Sequence, residues 1–89
     1  MNIDKPKGFK IYPNPNDGNF IIEIENPGKE VFVEVYDMME RMVKKVKTVE
    51  KVISLDLEVE EGIYLVRVNN GGVVWKQKVM VSFGGDTNR

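Results

Sequence analysis

The segment Met38–Val52, MMERMVKKVKTVEKV, decides whether this chain is built from strands alone. It holds neither Gly nor Pro, and Met42, Val43, Val46, Val49 and Val52 partly follow a 3.6-residue period, so a helix competes here. Against the helix, Val43, Val46, Thr48 and Val49 are β-branched and lose χ1 freedom on a helical backbone. No N-cap residue stands beside the apolar run. The segment therefore reads as a strand.

Working outward, a period of two dominates. In NFIIEIE, Phe20, Ile22 and Ile24 share one phase, and in EVFVEVY, Val31, Val33 and Val35 do. VISLDLEV places Ile53, Leu55, Leu57 and Val59 on one side, GIYLVRV places Tyr64, Val66 and Val68, and the run Val73–Val81 alternates in the same way. Such runs read as half-buried strands. Turn residues separate them at short spacing: Asn16-Asp17-Gly18, Asn26-Pro27-Gly28, Asp37 to Glu40, Glu60-Glu61-Gly62 and Asn69-Asn70-Gly71-Gly72. Asn-Gly between strands is a strong hairpin signal, so the last two strands are expected to pair, with Gly62, Asn70 and Gly71 serving the backbone. With a short strand at Phe9–Tyr12 the count is about seven. The fold class expected is all-β, a small antiparallel Ig-like β-sandwich, because two facing sheets bury what one sheet would leave wet. The polar, Pro- and Gly-containing residues 1–8 read as linker, 9–81 as the sandwich, and 82–89 as a polar tail.

At 89 residues the chain suits one domain with a thin core. Its 13 basic and 14 acidic residues leave a net charge of −1, with lysines interleaved among glutamates, so no nucleic-acid partner is expected. There is no cysteine and no histidine, which removes disulfides, thiolate nucleophiles, the usual zinc sites and the commonest general base. No catalytic residue, metal or cofactor is expected; Glu58, Glu60 and Glu61 read as solubilising charge on a turn. No apolar run approaches the roughly 20 residues of a membrane helix, so no membrane insertion is expected. The first ten residues lack the apolar stretch of a signal peptide, which leaves a cytosolic chain or one domain of a longer, exported protein.

Tyr12–Phe20, YPNPNDGNF, concentrates turn chemistry ahead of a strand. Pro13 and Pro15 donate nothing to a ladder, Asn14, Asn16 and Asp17 can close Asx-turns, and Gly18 tolerates positive φ. The oxygens there do not follow the spacing of a calcium loop. Trp75, in phase with Val73, Val79 and Val81, reads as a packing residue more than as a sugar platform. Tyr64 reads as core with a tethered hydroxyl.

YPNPNDGNF, followed by VFVEVYDMMERMV, ISLDL, GIYLVRV and WKQKVMV, closely resembles the C-terminal sorting domain of the type IX secretion system of Bacteroidetes, over roughly Phe9 to Val81. Tyr12, Pro13, Asn14, Pro15, Gly18, Asp37, Gly62, Tyr64, Lys78 and Val79 fall on the positions of that family's motifs. The chain departs from the pattern at Glu40, where Gly is usual, and at Val59-Glu60-Glu61 ahead of Gly62. The resemblance implies an Ig-like sandwich that performs no chemistry and follows an N-terminally fused cargo. The implied partners are the outer-membrane translocon and a sortase-like protease that removes the domain. The implied location is the periplasm, in transit to the cell surface or medium. Candidate recognition residues are Tyr12–Gly18 and, on the last strand, Lys76, Lys78 and Val79; solvated charge that protects a strand competes as the role of each lysine. An Ig- or fibronectin-like accessory module for adhesion or carbohydrate binding is the alternative, since sandwiches serve both ends.

Overall fold

Alternation fixes which side of each strand is wet, and the fold follows from pairing the dry sides. In the computed structural model, which describes residues 8–83, seven strands run β1 (Phe9–Tyr12), β2 (Asn19–Ile24), β3 (Val31–Tyr36), β4 (Met42–Thr48), β5 (Val52–Asp56), β6 (Gly62–Asn70) and β7 (Val73–Val81). All named pairs are antiparallel. One sheet has the order β1-β2-β5 and the other β4-β3-β6-β7. The contested Met38–Val52 segment supplies β4, a strand. It stays beside β3 instead of crossing to the β1-β2-β5 sheet, which the fourth strand of a constant-type immunoglobulin domain joins.

Phe9, Ile11, Phe20, Ile22, Ile24, Ile53 and Leu55 from one sheet meet Val31, Val33, Val35, Tyr64, Val66, Val68, Val79 and Val81 from the other, all buried. Trp75 packs on this core, its ring 6.0 Å from that of Phe9 and tilted by 44°. Gly8 sits buried beneath the indole, where a Cβ would collide with it, and its carbonyl accepts from Glu25 N at 2.9 Å. The ladder of β5 ends at Asp56, earlier than the alternation suggested; Leu57 is still buried, and its amide donates to Gly18 O at 2.7 Å.

Tyr64 is inserted into the core with its phenol donating to Glu60 O at 2.6 Å, four residues upstream. This is the tyrosine corner of Ig-like sandwiches, a buried hydroxyl satisfied by the chain that leads into its own strand. Burial, and next the charges of Glu60 and Asp37, hold this phenol above its ordinary value.

The β6–β7 hairpin forms one residue later than Asn-Gly suggested. Asn70 pairs with Val73, and the positive φ values fall on Gly71 (62°) and Gly72 (95°). Asn70 is thereby released to use its side chain: Oδ1 accepts from Gly28 N at 2.8 Å, and Nδ2 donates to Asn26 O at 3.1 Å. One amide thus ties the β2–β3 turn to the hairpin.

The β3–β4 hairpin is closed by Asp37. Its carboxylate accepts from Met39 N, Arg41 N and Arg41 Nε, each at 2.9 Å, and its own N–H donates to Arg41 O. Glu40 sits in the left-handed region at φ 66°, so the turn keeps a glycine-type backbone with a side chain on it. That conformation costs a non-Gly residue about 1–2 kcal/mol, against about 0.5–1 kcal/mol for the extra freedom glycine brings to the unfolded chain. Glu40→Gly is therefore expected to stabilise the domain by roughly 0.5–1 kcal/mol, seen as a rise in Tm of roughly 2–8 °C by calorimetry. The Arg41 amide, followed by the Arg41 side chain and the Met39 amide, holds the Asp37 carboxyl below its ordinary 3.8. A depressed folded pKa gives stability that is present above the ordinary value and lost as pH falls through the lower one. The Tm difference between wild type and Asp37→Asn is accordingly expected to be constant above about pH 5 and to shrink below about pH 4 in a pH series of thermal melts.

Candidate functional site

β7 lies at the open edge of its sheet, so alternate N–H and C=O groups along it point away from β6. Tyr12–Gly18 lies along the second half of that edge. The peptides Tyr12–Pro13 and Asn14–Pro15 are cis, and the chain doubles back from β1 to bring two asparagines against β7. Asn14 accepts from Met80 N at 3.0 Å through Oδ1 and donates to Lys78 O at 3.2 Å through Nδ2. Its side-chain amide does what the peptide group of a neighbouring strand would do. Two residues on, the backbone takes over: Asn16 N donates to Met80 O at 2.9 Å, and Ser82 N donates to Asn16 O at 2.7 Å, a parallel bridge opposite Val81.

Asn16 is 7% exposed, a polar residue among apolar ones, and every arm of it is used. Nδ2 donates to Pro13 O at 3.0 Å, and Oδ1 accepts from Gly18 N at 2.8 Å, closing an Asx-turn. Asp17 Oδ1 accepts from Asn19 N at 3.1 Å in a second one. Asn14 does not make the Asx-turn considered for it, because both ends of its amide are committed to β7. Gly18 adopts φ 105°, and a Cβ there would lie 2.6 Å from Leu57 O, so the turn fits against the end of β5 only with glycine.

The structure brings Asn14 and Pro15 together with Lys78, and these residues line one shallow hollow with Ile63 and Met80. Lys78 and Lys76 are exposed on the outer side of β7. Val79 is not available for recognition: its side chain points inward and is 1% exposed, and its place in the motif is that of a core residue. Tyr12 is at the surface, its phenol donating to Glu23 Oε2 at 2.6 Å, and this hydrogen bond to a carboxylate is the main reason its pKa lies above the ordinary value. Two exposed apolar neighbours escaped the sequence reading, Ile63 and Met80, which face each other across the β6–β7 ladder. Their odd phase relative to Tyr64 and Val79 was the available signal.

Removing the Asn14 amide leaves Met80 N and Lys78 O to water at an exposed edge, a loss of about 1–2 kcal/mol for the two bonds. Asn14→Ala is expected to lower stability to urea by that amount and to speed amide hydrogen exchange at Met80. Asn14→Asp keeps the acceptor for Met80 N and loses the donor to Lys78 O, so it is expected to retain protection at Met80.

Residues 10–82 match the family described as the secretion system C-terminal sorting domain. No curated protein matches the chain. Among solved structures, the chain is similar to one from the structural and functional probing of PorZ, an essential bacterial surface component of the type-IX secretion system of human oral-microbiomic Porphyromonas gingivalis. The TM-score is 0.68 at 19% sequence identity; the likeness covers 82% of this chain and 11% of that one, so the chain spans about a tenth of the length of the protein it resembles. At that identity the likeness concerns the sandwich fold. The family match, by contrast, runs from Lys10 in β1 to Ser82 beyond β7, taking in the YPNPN turn and the strand it holds, and the chain belongs to the C-terminal sorting domains of the type IX secretion system.

Proposed function

We propose that this domain is the address of an N-terminally fused cargo, read by the outer-membrane translocon of the type IX system after the cargo has reached the periplasm. It is then cut away by a sortase-like protease, leaving the cargo at the cell surface or in the medium. The domain itself is a substrate of that machinery and catalyses nothing. The observation that carries the reading is the family match over residues 10–82. Physical support comes from the motif residues: Asn14 and Asn16 complete the edge of β7, so the signature stretch of the family and its final strand form one unit.

An address must survive transit as a folded object, and the structure suits that demand. The β7 edge, which would otherwise template pairing with other chains, is occupied along its second half. Lys76 is the charge of the first half, where Val73 and Val74 are exposed, and Lys44, Lys45 and Lys47 line the edge strand β4.

The test is a fusion of the chain to the C-terminus of a periplasm-competent reporter, expressed in a bacterium with a type IX system. Reporter is expected at the surface or in the medium, dependent on an intact translocon, with a reporter band shortened by about the mass of the domain. Periplasmic retention of a folded fusion would overturn the sorting role and favour an adhesion or carbohydrate-binding module. Export without shortening would overturn the removal step alone.

A further inference from the structure

The cross-strand registers collect charge on one face. On the outer side of the β4-β3-β6-β7 sheet, Lys45, Glu34, Arg67 and Lys76 stand in a single row, one residue from each strand. Lys47 flanks the row on one side and Lys78 on the other, giving five cations; the carboxylates beside them are Glu34 within the row, Glu30 on Lys47, and Asp37 and Glu40, which line one hollow with Arg67, Lys76 and Lys78. The outward positions of the other sheet carry Lys10 against Glu23 and Asp56.

The cations are not equivalent. Arg67 Nη1 is held by Glu34 Oε1 at 3.0 Å, and the same oxygen accepts from the Tyr36 phenol at 2.8 Å. Lys45 Nζ lies 5.6 Å from the centre of the Phe32 ring, and Lys47 pairs with Glu30 at 3.5 Å. Lys76 and Lys78 have no ion-pair partner among the described residues. Beyond them the face turns apolar: Leu65 lies opposite Lys78, and Ile63 (40% exposed) opposite Met80 (45% exposed).

We infer that this face is the surface by which the domain is read, and that what docks on it is an acidic protein surface with an apolar margin. The inference rests on the sorting role and names the contact that role requires. Lys76 and Lys78 supply unpaired charge for steering and register, and Arg67 is pre-oriented by Glu34. Leu65, Ile63 and Met80 supply the apolar contact next to the Asn14 clamp. Arginine and methionine are enriched at protein–protein contacts and lysine is depleted at their core, which puts Arg67 and Met80 within the contact and Lys76 and Lys78 at its rim. A polyanion such as a phosphate-bearing glycolipid fits less well, because Glu34 stands in the middle of the row and the end of the face is apolar. A second copy docking face to face in register would set Lys76 and Lys78 against the same two lysines.

The experiment compares two charge reversals of equal size in the reporter fusion. Lys76→Glu with Lys78→Glu alters the proposed face; Lys10→Glu with Lys51→Glu alters the opposite sheet and its approach. Both proteins are first shown to unfold cooperatively near the wild-type Tm. The first pair is expected to lower the exported fraction at least about tenfold, since like charges set against each other are strongly disfavoured, and the second to leave it within about twofold. Equal export of both, or equal loss in both, would overturn the inference while the wild-type fusion still reports on the sorting role by itself. The isolated chain is expected to be monomeric by sedimentation equilibrium and not to bind phosphatidylcholine vesicles containing phosphatidylglycerol. Dimerisation, or vesicle binding, that the first pair abolishes would overturn the partner class.

Discussion

An edge strand of nine residues is the constraint on which this domain turns. β7 has a partner on one side only, and its outward N–H and C=O groups must find water, another chain, or something from the domain itself. The chain answers with material from its other end. Asn14 offers a side-chain amide and Asn16 a backbone amide, spaced so that together they meet Lys78 O, Met80 N, Met80 O and Ser82 N. Asn70 repeats the device on the β2–β3 turn, where its amide meets Gly28 N and Asn26 O. Twice, then, an asparagine stands in for a peptide group where the backbone does not reach.

The core beneath these devices is thin, and β-branched residues suit it. Val31, Val33, Val35, Val66 and Val68 are fully buried and stand over Ile22, Ile24, Ile53 and Leu55 of the facing sheet. Each contributes about 1.5–3 kcal/mol of burial, and few are large enough to fill a gap left by a neighbour. Polar groups at the margins therefore matter in proportion. Tyr64 and Asn16, the two that enter the apolar region most deeply, both have their hydrogen bonds met by backbone close in sequence. A half-met group at either place would weigh heavily against so small a core.

What the sequence could disclose was whatever depends on neighbours along the chain. The inward phase of each strand, the strand character of Met42–Thr48 against a helical period, and the tight turns after Asp37 and Asn70 follow from local sterics and alternation. Glu40 stood out as well, as a departure from the glycine usual at that position of the family, and it takes φ 66°. Relations across the fold were hidden. Nothing local tells that Asn14 reaches a strand more than sixty residues away, or that β4 stays with β3. The positive row escaped for the same reason. Lys45, Arg67 and Lys76 are scattered in a chain of balanced charge, and only the registers of three ladders align them.

The clamp also limits how the domain can be recognised. A partner that adds a strand to a sheet needs a run of unpaired backbone groups, and along the second half of β7 Asn14 and Asn16 have already taken them. A reader of that region has two routes. It can displace the clamp, giving up the Asx-turn of Asn16 and the packing of Gly18 on Leu57, or it can leave the backbone alone and bind the side chains that β7 presents outward. The second route costs the domain none of its structure. On that route the YPNPNDG stretch acts by holding Lys78 and Met80 in a strand whose outer face stays fixed.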